Sequence, residues 1–222
     1  MLALAVIAAA LAAGCASSAA APFEPGFYSK PATTALSPPL AVVSVHRFRD
    51  ERPGAAAVPT MVYKFMSISS QFGESSLARQ LNEVRATEPV AVGVARAVLQ
   101  GFRARGVPIE DATAAPFALG TGAGTARIAM SGRVVAFGVE VIRSSLYEYR
   151  SVSGCTLGLE AYEVASGRKI LDKMYARQEQ DSGRSLASAA PASRWPALSR
   201  VLAAVVDEAL NDPELLQVLR VP

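Results

Sequence analysis

The sequence predicts an α+β domain: a mostly antiparallel sheet of about five strands with two main helices packed on one face. Three observations predict it. Residues 89–105 and 195–210 each carry apolar side chains at helical spacing. The segments around them are rich in β-branched residues or alternate with period two, most clearly over residues 147–164. Each helix has a single apolar stripe, and two such stripes need a common sheet face to cover. The chain of 222 residues suits one domain of ordinary size plus a tether.

The elements follow in order. Residues 40–48 (LAVVSVHRF) read as an opening strand, which the Pro53-Gly54 turn ends after Asp50 and Arg52. Residues 61–68 read as a second strand. Leu77, Leu81 and Val84 are spaced for a short helix within residues 69–87. In the first main helix Pro89 suits the first position, where a missing N–H costs nothing. Its stripe is Ala91, Val94, Ala95, Val98 and Phe102, with Arg96, Gln100 and Arg103 opposite; Gly106 fits the left-handed C′ position. Residues 107–109 lead into a Gly/Ala/Thr-rich loop. Residues 126–142 form a long strand, with Gly132 and Gly138 as bulge or bend points. In the next strand Cys155, Leu157, Leu159 and Ala161 share a face. A hairpin turn at residues 165–168 returns the chain as a strand over residues 169–178, before a polar loop. The second main helix, capped by Ser193 or Arg194, buries Leu198, Val201, Leu202, Val205 and Ala209. Asp212 caps a short last helix carrying Leu215, Leu216 and Leu219.

Ahead of this domain the chain has a different character. An apolar run occupies residues 1–13, shorter than the about 20 residues that span a bilayer, and so fits the h-region of a signal peptide. It ends in Leu11, Ala12, Ala13, Gly14 and Cys15, which resembles the lipobox of bacterial lipoproteins. That resemblance implies cleavage between Gly14 and Cys15 and acylation of Cys15, with two or more acyl chains holding the protein on a membrane. Ala16 after the cysteine then implies sorting to the outer membrane, facing the periplasm. Two features depart from the pattern. Ala12 stands where lipoproteins more often have Leu, and the first basic residue is Lys30; a start site further upstream would account for the second. The alternative is an ordinary secretory signal cut near residues 19–21. The division expected is a signal peptide over residues 1–14, a Pro/Ala/Ser-rich tether over 15–39 and one periplasmic domain over 40–222. Phe23, Phe27 and Tyr28 are unusual in a tether and are candidate docking residues.

Composition excludes several classes. Charged residues are 18% and hydrophobic residues 51%, so most of the chain has the means to fold. The net charge of +3 is scattered among acidic residues, not clustered as in nucleic-acid binders, and no nucleic-acid partner is expected. Two cysteines, Cys15 and Cys155, leave Cys155 as a lone thiol once Cys15 is acylated; its alternating strand position reads as a small buried apolar residue. The single histidine, His46, has no nucleophile and carboxylate signature beside it, and one His with one Cys makes no usual zinc site. No catalytic residue, metal or cofactor is expected. The glycine-rich residues 120–124 lack the Lys and Ser/Thr of a phosphate loop and precede a strand. Asp50 with Arg52 is a ligand clamp or a turn-stabilising pair, and Tyr147, Tyr149 and Tyr162 are a candidate aromatic patch for a partner.

The layout from residue 40 onward resembles the YajG-type lipoproteins of Gram-negative bacteria. The resemblance is carried by Arg49 to Pro53 after the opening strand, by Phe102 to Gly106 closing a helix, by Ser131 to Val135, and by Ala165 to Lys169 in the hairpin. It implies a non-catalytic envelope protein with a protein partner. Related envelope lipoproteins are accessory subunits, for example of ABC-type transporters or peptidoglycan synthases. The leading expectation is therefore an outer-membrane-anchored binding or accessory lipoprotein. The alternative is an auxiliary lipoprotein of an ABC-type lipid or lipopolysaccharide transport system, which calls for an apolar groove between sheet and helices. An envelope hydrolase using Cys155 ranks last.

Overall fold

The structure is a computed structural model; it describes residues 36, 39–53, 60–65, 79–80, 89–118, 124–143, 149–183 and 191–220. The strands are β1 (Val43–Arg47), β2 (Arg49–Asp50), β3 (Thr60–Phe65), β4 (Arg79–Gln80), β5 (Ile109–Pro116), β6 (Ile128–Arg143), β7 (Tyr149–Glu163) and β8 (Lys169–Gly183). The helices are α1 (Val90–Ala104), α2 (Pro191–Leu210) and α3 (Pro213–Leu219). The fold class is α+β, as the alternating strands and striped helices predict.

All eight described strands belong to one sheet, and β6 is its hub. Along one edge β6 pairs antiparallel with β7 over its whole length, and β7 pairs antiparallel with β8. Along its other edge β6 takes three shorter strands end to end, all parallel: β1 at residues 128–130, β2 at 133–134 and β3 at 138–143. Strand β5 lies outside β1, parallel to it, and β4 lies antiparallel outside β3. The two longest ladders are thus antiparallel, within a sheet of mixed orientation.

Helix α1 packs on β1, β5 and β6, while α2 packs on β7 and β8 and against α1, so both lie on one face. The expected stripes are the buried ones: Val94, Ala95, Val98 and Phe102 in α1, and Leu198, Val201, Leu202 and Val205 in α2. They meet Leu157, Leu159 and Tyr175 of the sheet. Burying a Val, Leu or Phe contributes about 1.5–3 kcal/mol each, so this layer holds the domain together. A void among Val98, Phe102, Leu157, Leu159 and Tyr175 measures about 10 Å³, room for about one water. Ion pairs stitch β8 to the helices: Lys173 to Asp212 at 2.8 Å, Arg177 to Glu208 at 2.9 Å, and Glu179 to Arg200.

The structure corrects several details. Residues 109–116, to which the sequence assigns no strand, form β5; IEDATAAP shows no apolar alternation, and among the described residues this strand pairs only with β1. The bulge in β6 falls at Val135, not at a glycine. Gly132 instead serves close packing, since a Cβ there would overlap the Gly158 carbonyl oxygen and come within 2.8 Å of the Phe48 ring. Strand β8 runs on to Gly183, into the expected polar loop. Helix α2 starts at Pro191, so Ser193, Arg194 and Pro196 lie inside it and none of them caps it. Within the expected short helix on Leu77, Leu81 and Val84, the described residues Arg79 and Gln80 form strand β4; those three positions lie outside the described residues.

Candidate functional site

Strand side chains alternate between faces, so the residues next to the core strand positions point away from the helices. Phe137, Val139 and Cys155 are buried in the core. Their neighbours form register pairs on the open face: Ala136 with Thr156, Gly138 with Gly154, and Glu140 with Val152. The paired glycines leave a floor without side chains. Above it lies a groove of about 410 Å³, with Arg52 and Pro53 on one flank and Gln178 on the other.

Asp50 holds Arg52 at this groove. The guanidinium donates through Nε to Oδ1 at 2.8 Å and through Nη2 to Oδ2 at 2.7 Å, and the Arg52 amide donates to Oδ1 at 3.3 Å. This bidentate pair has the fixed geometry of a strong charge-assisted contact. The Arg52 side chain is 1% exposed. The pair stabilises the turn after β2, and Arg52 also lines the groove. Of the tyrosines, Tyr149 begins β7 opposite Arg143, with its side chain outside the described residues. Tyr147, Gly14 and Cys15 lie outside the described residues as well.

A charged cluster occupies the same face nearer the β7–β8 hairpin. Glu160, whose side chain is only 2% exposed, accepts through Oε1 from Arg49 at 2.9 Å, Arg133 at 3.1 Å and Lys169 at 3.3 Å. Its Oε2 accepts from the Tyr162 hydroxyl at 3.1 Å. Asp172 closes the network, bonded to Arg133 at 3.2 Å and Lys169 at 2.9 Å. Burial pushes the Glu160 carboxyl up, but the Tyr162 hydrogen bond and the Arg49 and Lys169 cations outweigh it and hold it below its ordinary value. Arg133 crosses the sheet over Gly158, where a Cβ would come within 2.7 Å of its side chain. The cluster therefore ties β2, β6, β7 and β8 together. Sequence reasoning missed it. Its one sequence signal is Glu160 in the period-two pattern between Leu159 and Ala161, which marks an outward position without marking burial.

Beyond Tyr162 the face continues as an aromatic chain. The Phe117 ring sits 4.5 Å from Tyr162 and 5.2 Å from His46. His46 Nε2 and Ser44 Oγ lie 3.1 Å apart, a pairing of alternate residues on β1. Burial lowers the His46 pKa, so the ring is neutral near pH 7. Its Nδ1 is buried with no hydrogen-bond partner. A catalytic triad requires an orienting carboxylate at that nitrogen, so this Ser–His pair lacks that member. Cys155 lies in the core at 1% exposure, where burial pushes its thiol far up, away from the reactive range. Among the described residues no three His, Cys, Asp or Glu side chains are grouped to hold a metal ion. No described helix is long and apolar enough to cross a membrane.

No family model matches the chain, and no curated protein matches it in sequence. Solved structures with a similar course of chain include a DUF330 protein, XCC0632 from Xanthomonas campestris, with a TM-score of 0.49 and 11% identity over 85% of this chain and 92% of that one. A neuraminyllactose-binding hemagglutinin homologue from Helicobacter pylori gives a TM-score of 0.45 and 11% identity over 86% and 94%. The lipoprotein GNA1162 from Neisseria meningitidis gives 0.35 and 10% identity over 78% and 99%. Fold likeness of this degree does not carry function, which resides in sites.

Proposed function

We propose that the chain is a lipid-anchored protein of the bacterial cell envelope, of the YajG-type, that binds a protein partner through the open face of its sheet and performs no catalysis. Cys15 carries the acyl chains, the segment that follows it is the tether, which reaches the domain by Leu36, whose amide donates to the Arg105 carbonyl oxygen at 3.0 Å, and Ala16 directs the protein to the outer membrane. The observation that carries the binding role is the groove over Gly138 and Gly154, walled by an Arg52 that Asp50 fixes in place. A preformed groove whose wall is fixed in place recognises a partner at low entropic cost.

The test is photo-crosslinking in intact cells from an amino acid placed at Thr156, on the groove wall, with Ser166 in the hairpin turn as the control position. One adduct of fixed mass should form from position 156 and not from 166. A Cβ at Gly154 meets only Gln178 Cγ, at 3.6 Å, so Gly154→Trp fills the groove without displacing backbone. That variant should abolish the adduct while circular dichroism stays unchanged. An adduct that persists with the groove filled, or no adduct at all, contradicts the proposal.

A further inference from the structure

Strand β8 is fifteen residues long and, among the described residues, pairs with β7 alone. Its far side is a row of backbone donors and acceptors, which is a template for another strand. Met174 lies on this strand at 44% exposure. We infer that β8 pairs antiparallel with β8 of a second copy, making one continuous sheet through a two-fold dimer.

The charge pattern of the strand selects the register. Aligned over the full length, Lys169 of one copy lies opposite Gly183 of the other, and Ala176 opposite Ala176 on the axis. Lys173 of each copy then faces Glu179 of the other, and no two like charges are opposed. A slip of two residues in one direction sets Lys173 against Arg177, and in the other sets Arg177 against itself. A slip of one residue puts the two sets of helices on opposite faces. The full-length register is also the one that satisfies the most backbone groups.

The surroundings of β8 fit this pairing. Lys173, Arg177 and Glu179 each already have a counter-charge on α2 or beside α3, so the interface buries no uncompensated charge. Helix α2 packs on β7 and β8, so it runs beside the β8 edge, and the two-fold would bring the α2 helices of the two copies alongside each other. On α2 the exposed Ala204 and half-buried Ala203 offer small side chains for such an approach. The dimer would present two open grooves on a common face. The inference is independent of the anchor and of the groove's occupant.

Disulfide trapping in cells producing the full chain tests it. In this pairing the Cα atoms of the two Ala176 residues lie about 4.5–5.5 Å apart, within the reach of a disulfide. Mild oxidation should convert Ala176→Cys to a reducible dimer, beyond anything seen in the wild type, whose Cys155 is buried. Gln180→Cys is the control. It is also exposed, but its two copies would be about 27 Å apart at 3.4 Å per residue, and it should stay monomeric. An Ala176→Cys chain that folds, judged by an unchanged urea midpoint, yet gives no dimer overturns the inference. Equal trapping of both variants also overturns it, because that reports random collision.

Discussion

Replacing Glu160 by Gln keeps the shape of the side chain and removes the charge at the centre of the open-face cluster. Three cations then lose their common anion: Arg49, Arg133 and Lys169, at 2.9, 3.1 and 3.3 Å. Removing one partner of a fully buried ion pair costs about 3–5 kcal/mol. Here the carboxylate is buried, but Arg49 and Lys169 are about half exposed, so solvent screens part of the loss. An amide oxygen also still accepts one hydrogen bond. The expected cost is about 2 kcal/mol at pH 7, roughly thirtyfold in the folding constant. The pH dependence has a definite sign. The folded carboxyl is held below its ordinary 4.5, so its contribution is complete above pH 4.5 and fades as pH falls through the lower, folded value. Urea denaturation followed by circular dichroism at several pH values measures this directly. The gap between wild type and Glu160→Gln should be widest near pH 7 and narrow progressively as pH falls below 4.5. A gap that is constant with pH, or a variant as stable as the wild type, would refute the reasoning.

Three further outcomes follow from the packing. Gly132→Ala should destabilise by about 1–3 kcal/mol, because its new methyl meets the Gly158 carbonyl and the Phe48 ring; an unchanged melting temperature would mean that Phe48 is not seated there. Asp212→Ala removes the cap that accepts from the Glu214 and Leu215 amides, as well as the ion pair to Lys173. It should cost about 1–2 kcal/mol in urea melts, and no loss would mean the cap does not form. The Cys155 thiol, buried and pushed far up, should resist a maleimide at pH 8 in the native protein and react once urea unfolds it; fast native labelling would contradict its core position.

What the sequence revealed depended on whether a residue's role shows in local periodicity. The stripes on α1 and α2, the face shared by Cys155, Leu157, Leu159 and Ala161, and the caps at Gly106 and Asp212 follow from spacing and turn chemistry, and all hold. Strand β5 was not legible, because an edge strand that follows Pro108 and ends on Pro116 needs no apolar alternation. The parallel packing of β1, β2 and β3 along β6 was hidden too, since pairing direction is set by the path of the chain between strands. At the candidate site, Asp50 and Arg52 stood out as neighbours in sequence. The Glu160 cluster draws its members from four separate strands, so only the assembled register brings them within 3.3 Å. Gly138 stood out as a glycine in a strand, but its pairing with Gly154 as a groove floor is again a matter of register.

The central claim is that the protein is held on a membrane through Cys15. Metabolic labelling with a radioactive fatty acid, on wild type and Cys15→Ser, followed by membrane fractionation, tests it most directly. The account predicts label in the wild-type protein, none in the variant, and release of the variant from the membrane fraction. Label retained in Cys15→Ser, or absent from both forms, would contradict it.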